Sequence, residues 1–299
     1  VPFERGLEDY LLWVCTEYPT DLTGMKLALD CANGSSCFTA EKALTRLGAT
    51  CTVLNSDPDG LNINTDCGST HPEKFQEFVK NGDFDLGLMF DGDADRQIMV
   101  APDGRLVDGD FVLYICAKHY RDKGILTNNT IVTTVMANLG LFKAMEREGI
   151  EVASTQVGDK YVYEKMCQDD DIIGGEQSGH IIFKRHETTG DGLVTALAIM
   201  EIMKEKNMSV SELMEGLKIY PQLLVNVRVS NKQTALDDAE VKQAIDEVNQ
   251  ELAGNGRLLV RPSGTEPLIR VMAEAESDEI CERVVMKVAD IVKAKFGAE

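Results

Sequence analysis

Short apolar runs alternate with amphipathic stretches from Lys26 to Lys206, and this alternation constrains the chain more than any other feature. An apolar run bounded by turn residues reads as a buried strand, and a period of about 3.6 residues after it reads as a crossover helix. Repeated strand–turn–helix units give an α/β fold. Leu7, Tyr10, Leu11 and Val14 fall at helical spacing ahead of Pro19, and strands are expected at Lys26–Asp30, Cys51–Leu54 and Leu86–Phe90. Phe38, Ala43, Leu44 and Leu47 mark a helix ended by Gly48, and Phe75, Phe78 and Val79 mark another over Glu73–Lys80. Gln97–Ala101 and Arg105–Val107 flank the turn Pro102-Asp103-Gly104 as a hairpin.

A second α/β stretch follows. Helices are expected at Asp110–Tyr120, Leu139–Glu148, Lys160–Cys167 and Gly192–Lys206, with strands at Thr130–Val135, Val152–Gln156, Ile172–Gly174 and His180–Phe183. After Tyr220-Pro221 the pattern changes to alternating Leu223–Val229, a helix over Asp237–Leu252, strands at Arg257–Val260 and Leu268–Ala273, and a helix over Asp278–Lys295. Helices beside antiparallel strands make a small α+β domain. The expected division is 1–106 and 107–219, both α/β, then 220–299, α+β.

Fifty acidic residues against 30 Lys and Arg leave a net charge of −20. Such a field repels nucleic-acid backbones and anionic membranes, so neither is an expected partner. An anionic small molecule needs cations and backbone N–H groups concentrated locally. The eight cysteines contain no C-x-x-C pair and no zinc-type spacing, and no secretory leader is evident, so free thiols in a reducing cytoplasm are expected. His71, His119 and His186 show no ligand spacing.

Three segments carry chemistry. Asp91-Gly92-Asp93-Ala94-Asp95-Arg96 follows a buried strand, and a tight turn there can aim three carboxylates at one hard cation such as Mg²⁺. A calcium helix–loop–helix loop is excluded, because Arg96 stands at its glycine position and Pro102 at its glutamate position. Arg261-Pro262-Ser263-Gly264-Thr265, with Arg270 on the following strand, offers a guanidinium, two hydroxyls and an accessible backbone, which suits a phosphate monoester. A hairpin loop whose Ser and Thr cap their own backbone explains the same residues. In Gly175-Glu176-Gln177-Ser178-Gly179-His180, the alternating Glu176, Ser178 and His180 would face one way if extended, as a sugar site or a polar edge strand. Lys160, beside the turn Gly158-Asp159, reads as a helix-start cation or an ordinary surface lysine.

Together with Asp30–Gly34, Pro58–Asn64, Cys67–His71 and Thr188–Gly192, these segments resemble the phosphohexomutase superfamily of sugar-phosphate mutases across essentially the whole chain. The wording of Glu176–His180 and Asp59–Asn64 is similar to its glucosamine branch. The resemblance implies reversible conversion of glucosamine 6-phosphate to glucosamine 1-phosphate, through a phosphoserine and glucosamine 1,6-bisphosphate, for cell-wall precursors. It implies Mg²⁺ on Asp91, Asp93 and Asp95, with Arg96 offsetting charge and His180 near the transferring proton. Glu176 and Ser178 would hold sugar hydroxyls, while Lys160, Arg261, Ser263, Gly264, Thr265 and Arg270 would hold phosphate. The family's phosphoserine lies in a Ser-His-Asn-Pro type loop of a leading domain, a context that none of the eleven serines here has. With Val1 in place of methionine, the expectation is a piece lacking that domain and inactive alone; the alternatives are a piece of a phosphomannomutase or phosphoglucomutase, or a non-catalytic sugar-phosphate-binding module.

Overall fold

The computed structural model describes residues 5–186, 188–264 and 266–298, so Thr265 lies outside the described residues. The chain forms two compact units: Val1–Ala137 with Leu141–Leu217, and Asn138–Gly140 with Lys218–Glu299.

The first unit holds two sheets. The chain runs through α1 (Gly6–Glu17), β1 (Lys26–Asp30), α2 (Ala40–Arg46), β2 (Thr50–Leu54), α3 (Glu73–Asn81), β3 (Leu86–Phe90), β4 (Gln97–Val100) and β5 (Leu106–Val107). The sheet order is β2-β1-β3-β4-β5, with β1 parallel to β2 and β3, and β4 antiparallel to β3 and β5. Every residue of β3 is buried, as a strand covered on both faces requires. Its carboxyl end opens directly into the three-aspartate loop.

The second sheet follows α4 (Gly109–Asp122). The elements are β6 (Thr130–Thr134), α5 (Leu139–Glu148), β7 (Glu151–Thr155), α6 (Asp159–Asp169), β8 (Ile173–Gly175), β9 (Ile181–Phe183), α7 (Gly192–Lys206) and α8 (Val210–Leu213). The order is β7-β6-β8-β9, with β9 antiparallel. Helix α7 is buried from Gly192 through Met200, so its apolar run marks an interior helix, not an amphipathic one. Leu29, Leu88 and Phe90 share one core with Val112, Leu197 and Ile199.

The second unit contains β10 (Gln222–Arg228), α9 (Lys232–Asp237), α10 (Ala239–Leu252), β11 (Arg257–Pro262), β12 (Leu268–Glu274) and α11 (Asp278–Phe296). Its antiparallel sheet has the order β10-β12-β11. Val248, Val271, Val284 and Val288 are among the fully buried residues of its core. The α/β and α+β classes expected from the sequence are both present.

Local readings needed correction where a turn shifted the period. Phe38, expected on the inward face of a helix, is 55% exposed, because Ser35–Phe38 forms a separate 3₁₀ turn before α2. Phe78 lies on the shoulder of α3, its ring 5.3 Å from that of Phe84. Helix α8 was not expected. Ser209 and Glu212 start it with a reciprocal capping box, whose signature is easily lost in a polar connection.

Candidate active site

The three-aspartate loop is held by its neighbours' backbones. Ala94 takes a left-handed conformation (φ 60°), which folds the loop back so that the Arg96 N–H reaches Asp91 Oδ1 at 3.3 Å. The Gly92 carbonyl accepts the Ser35 N–H at 2.9 Å. A β-carbon on Gly34 would stand 2.4 Å from that carbonyl, so only glycine permits the approach. Buried Asp30 anchors the region from below, accepting the N–H groups of Ala32 at 2.9 Å and Gly68 at 3.0 Å.

The half-buried Asp91 carboxyl feels the charge of Asp95, and Asp93 is exposed. Burial, with the charge of Asp95 added to it, pushes the Asp91 carboxyl up to about 6. Two like charges interacting at the end of a hydrophobic strand are a good fit for a hard cation. Among the described residues, no three His, Cys, Asp or Glu side chains already converge as a metal-binding group. A cleft of about 370 Å³ opens beside the loop, with Ser35, Thr39, Asp93, Asp95 and Asp191 on its walls.

His180 is 2% exposed and joins this loop to its surroundings. Its Nδ1 lies 3.1 Å from Asp95 Oδ2, and its Nε2 accepts the Gly190 N–H at 3.0 Å. A backbone donor on Nε2 leaves Nδ1 to carry the proton toward Asp95. Both ring nitrogens are therefore engaged within the protein.

Glu176, Ser178 and His180 do not lie along an extended strand. The Gly179 N–H bonds the Glu176 carbonyl at 3.0 Å, closing a tight turn between β8 and β9. Glu176 is half-buried, Ser178 exposed and His180 buried. Glu176 Oε1 accepts the Gly158 N–H at 3.0 Å, which ties the turn to the start of α6. Lys160, one residue into α6, is exposed and sits 3.7 Å from Glu164. The side chain of Asp108 caps α4 and also accepts from Gln177 Nε2 at 3.3 Å.

In the second unit, Arg261 on β11 and Arg270 on β12 are register partners and so share one face of the sheet. Burial, and secondarily Arg270, lowers the proton affinity of the Arg261 guanidinium. Arg270 Nε is buried without a hydrogen-bond partner among the described residues. Arg270 Nη2 also lies 3.4 Å from Glu266 Oε2, and the donors left over on the two guanidiniums suit an oxyanion. Ser263 is 2% exposed, and its Oγ accepts the Glu266 N–H at 3.3 Å, so the hydroxyl also shapes the turn. Gly264 is exposed.

Several contributors carried no sequence signal. Lys232 donates to the carbonyls of Ser263 at 2.6 Å and Glu266 at 3.1 Å, clamping the arginine loop from a distant helix. Tyr10 donates to Asp191 at 2.7 Å across 181 positions. Asp108, which caps α4 and holds Gln177, was not singled out from the sequence.

Residues 14–104 match the family description phosphoglucomutase/phosphomannomutase alpha/beta/alpha domain II, 108–220 match domain III, and 224–291 match the C-terminal domain. A phosphoglucosamine mutase from Anoxybacillus flavithermus is 49% identical over 99% of this chain and 66% of its own length. One from Streptococcus suis is 51% identical over the whole chain and 67% of its own length. The Aspergillus fumigatus N-acetylphosphoglucosamine mutase, solved with GlcNAc-6P and magnesium, superposes with a TM-score of 0.79 at 23% identity. That alignment covers 96% of this chain and 66% of the fungal one, and at that identity it speaks for the fold alone. The chain thus spans about two thirds of the length of the curated relatives it matches. On three consecutive domain matches and about half-identical relatives across its length, the chain belongs to the phosphoglucomutase/phosphomannomutase family of phosphohexomutases.

Proposed function

We propose that this chain is the metal-, sugar- and phosphate-binding part of a phosphoglucosamine mutase, interconverting glucosamine 6-phosphate and glucosamine 1-phosphate through glucosamine 1,6-bisphosphate. The observation that carries this reading is about 50% identity, over nearly the whole chain, to proteins of that name. Its place would be the cytoplasm, making cell-wall precursors, which agrees with eight free cysteines. No helix among the described residues is long and apolar enough to cross a membrane.

In this reading Asp91, Asp93 and Asp95 hold Mg²⁺, which when bound neutralises charge at a phosphoryl oxygen. His180 is a positioning residue, since its Nδ1 fixes Asp95 and its Nε2 is taken by Gly190. Arg96 offsets carboxylate charge beside it. Glu176 reads sugar hydroxyls from a turn fixed by Gly158, with Ser178 beside it in the open. Arg261 and Arg270 grip the phosphate that is not reacting, supported by Ser263, Gly264 and Thr265. Lys160 reaches a phosphate only after leaving Glu164. Phosphoryl transfer depends chiefly on such positioning and charge neutralisation.

The phosphoryl carrier in this reading is a serine outside these residues. Ser263 is spent on its own turn, and phosphorylating Ser178 would put charge where the sugar must bind. The test compares kcat/KM on glucosamine, glucose and mannose 6-phosphates for the protein that contains this chain. A preference for glucose or mannose overturns the glucosamine assignment. Separately, mutase turnover by the verified 299-residue chain, with Mg²⁺ and glucosamine 1,6-bisphosphate supplied, overturns the external carrier.

A further inference from the structure

A second cavity of the first unit, about 190 Å³, shares no lining residue with the cleft beside the aspartate loop. Its apolar walls are Ile125, Ile172 and Phe183. Most of the charged groups around it are already matched. His119 Nε2 lies 3.1 Å and Lys123 Nζ 2.6 Å from Glu205, and His186 Nδ1 lies 3.4 Å from Glu17. Three polar groups facing the cavity have no hydrogen bond or ion pair among the described residues: the Tyr120 hydroxyl, the Glu201 carboxylate and the Arg185 guanidinium.

These three differ in a way that describes a ligand. Glu201 is half-buried, and burial, helped by Glu205 and only partly opposed by Lys123, whose ammonium is paired with Glu205, raises its carboxyl above the ordinary range. A carboxylate in that setting gains most from a cationic partner. Arg185 is exposed, so it stands at the solvent end and suits an anionic group. Glu201 and Arg185 line the same cavity of about 190 Å³, together with Tyr120, so one small molecule can address both. The rings of Tyr18 and His186, 5.3 Å apart, supply a wall that accepts methylenes or an ammonium. Apolar walls with a few convergent polar groups are the ordinary form of a ligand site, though ligand pockets usually reach about 300–1,000 Å³, so the occupant is small.

We propose that this cavity binds a small zwitterion, its ammonium toward Glu201 and its anionic group toward Arg185. The proposal is independent of the mutase reading, because no residue of that site lines the cavity.

Isothermal titration of the folded chain tests it with L-leucine and γ-aminobutyrate, which hold their two charges close together and further apart. Isoamylamine and isocaproate serve as single-charge arms. At least one zwitterion should bind roughly ten-fold or more tightly than either single-charge compound. Glu201→Gln should weaken the zwitterion and the amine but spare the acid, and Arg185→Ala should weaken the zwitterion and the acid but spare the amine. Thermal unfolding of both variants checks that they fold. No zwitterion binding up to tens of millimolar, or binding unchanged in both properly folded variants, overturns the proposal.

Discussion

Gly109 and Glu176 approach so closely that a β-carbon on Gly109 would stand 1.9 Å from the Glu176 carbonyl oxygen. The first residue of α4 thus sets the height of the turn that carries Glu176. Gly109→Ala should lift that turn and lengthen the bond from the Gly158 N–H. Overpacking of this kind costs about 1–3 kcal/mol. Urea unfolding should show that loss, and affinity for glucosamine 6-phosphate should fall with it. A variant as stable as the parent would mean that the turn yields freely.

The interacting carboxyls of Asp91 and Asp95 give opposite expectations with and without metal. Asp91→Asn removes a repulsion, so the metal-free chain should become more stable while its Mg²⁺ affinity drops. Asp93→Asn, at an exposed position, should leave metal-free stability unchanged and weaken Mg²⁺ by roughly ten-fold or more. Calorimetric titration paired with thermal unfolding separates the two. Mg²⁺ affinity unchanged in both variants would remove the metal from this loop.

Arg261→Ala should weaken a sugar phosphate far more than the free sugar. A lost charge-assisted hydrogen bond is worth about 1.5–3 kcal/mol, roughly ten- to hundred-fold in affinity. Arg270→Ala should resemble it, because the two are register partners on one face. Equal losses for phosphorylated and free sugar would assign both arginines to the sheet alone.

Asp108 should leave a signature in the pH dependence of stability. Burial outweighs the N–H groups of Phe111 and Asp110 and the Gln177 amide, pushing the carboxyl up to about 6 from an ordinary 3.8. The folded state then holds the proton more tightly than the unfolded chain. This contribution to stability is complete below about 3.8, falls as pH rises to about 6, and is flat above that. Its size is on the order of 2–3 kcal/mol. Asp108→Asn keeps a capping side chain and should flatten that window in urea titrations. Parallel pH profiles for the parent and the variant would refute the assignment.

Much of this was legible because the signals were local. A buried strand such as Leu86–Phe90 announces itself by composition, and the acidic loop follows it without a gap in sequence. The Arg261 loop was legible for the same reason. Where residues act across the chain, the sequence was silent: nothing near Lys232 points to the carbonyls of Ser263 and Glu266, and Tyr10 gives no sign of Asp191. The reading of Glu176 to His180 as extended failed for another reason. Alternation assumes a strand, and Gly179, at φ 92°, instead closes a turn in which the three side chains differ in exposure.

Glu274 has a consequence for how the protein can be cut. Its carboxylate is fully buried, and it accepts Arg257 Nε at 2.5 Å, the Leu139 N–H at 3.0 Å and Asn138 Nδ2 at 3.3 Å. Asn138 in turn bonds the Tyr220 carbonyl at 3.0 Å and accepts the Tyr220 N–H at 2.9 Å. The carboxy-terminal unit is therefore discontinuous, and Asn138–Gly140 are its own residues, borrowed from far upstream. A tail expressed from Lys218 onward would carry a buried carboxylate stripped of two of its donors, a piece cut along the sequence but not along the fold.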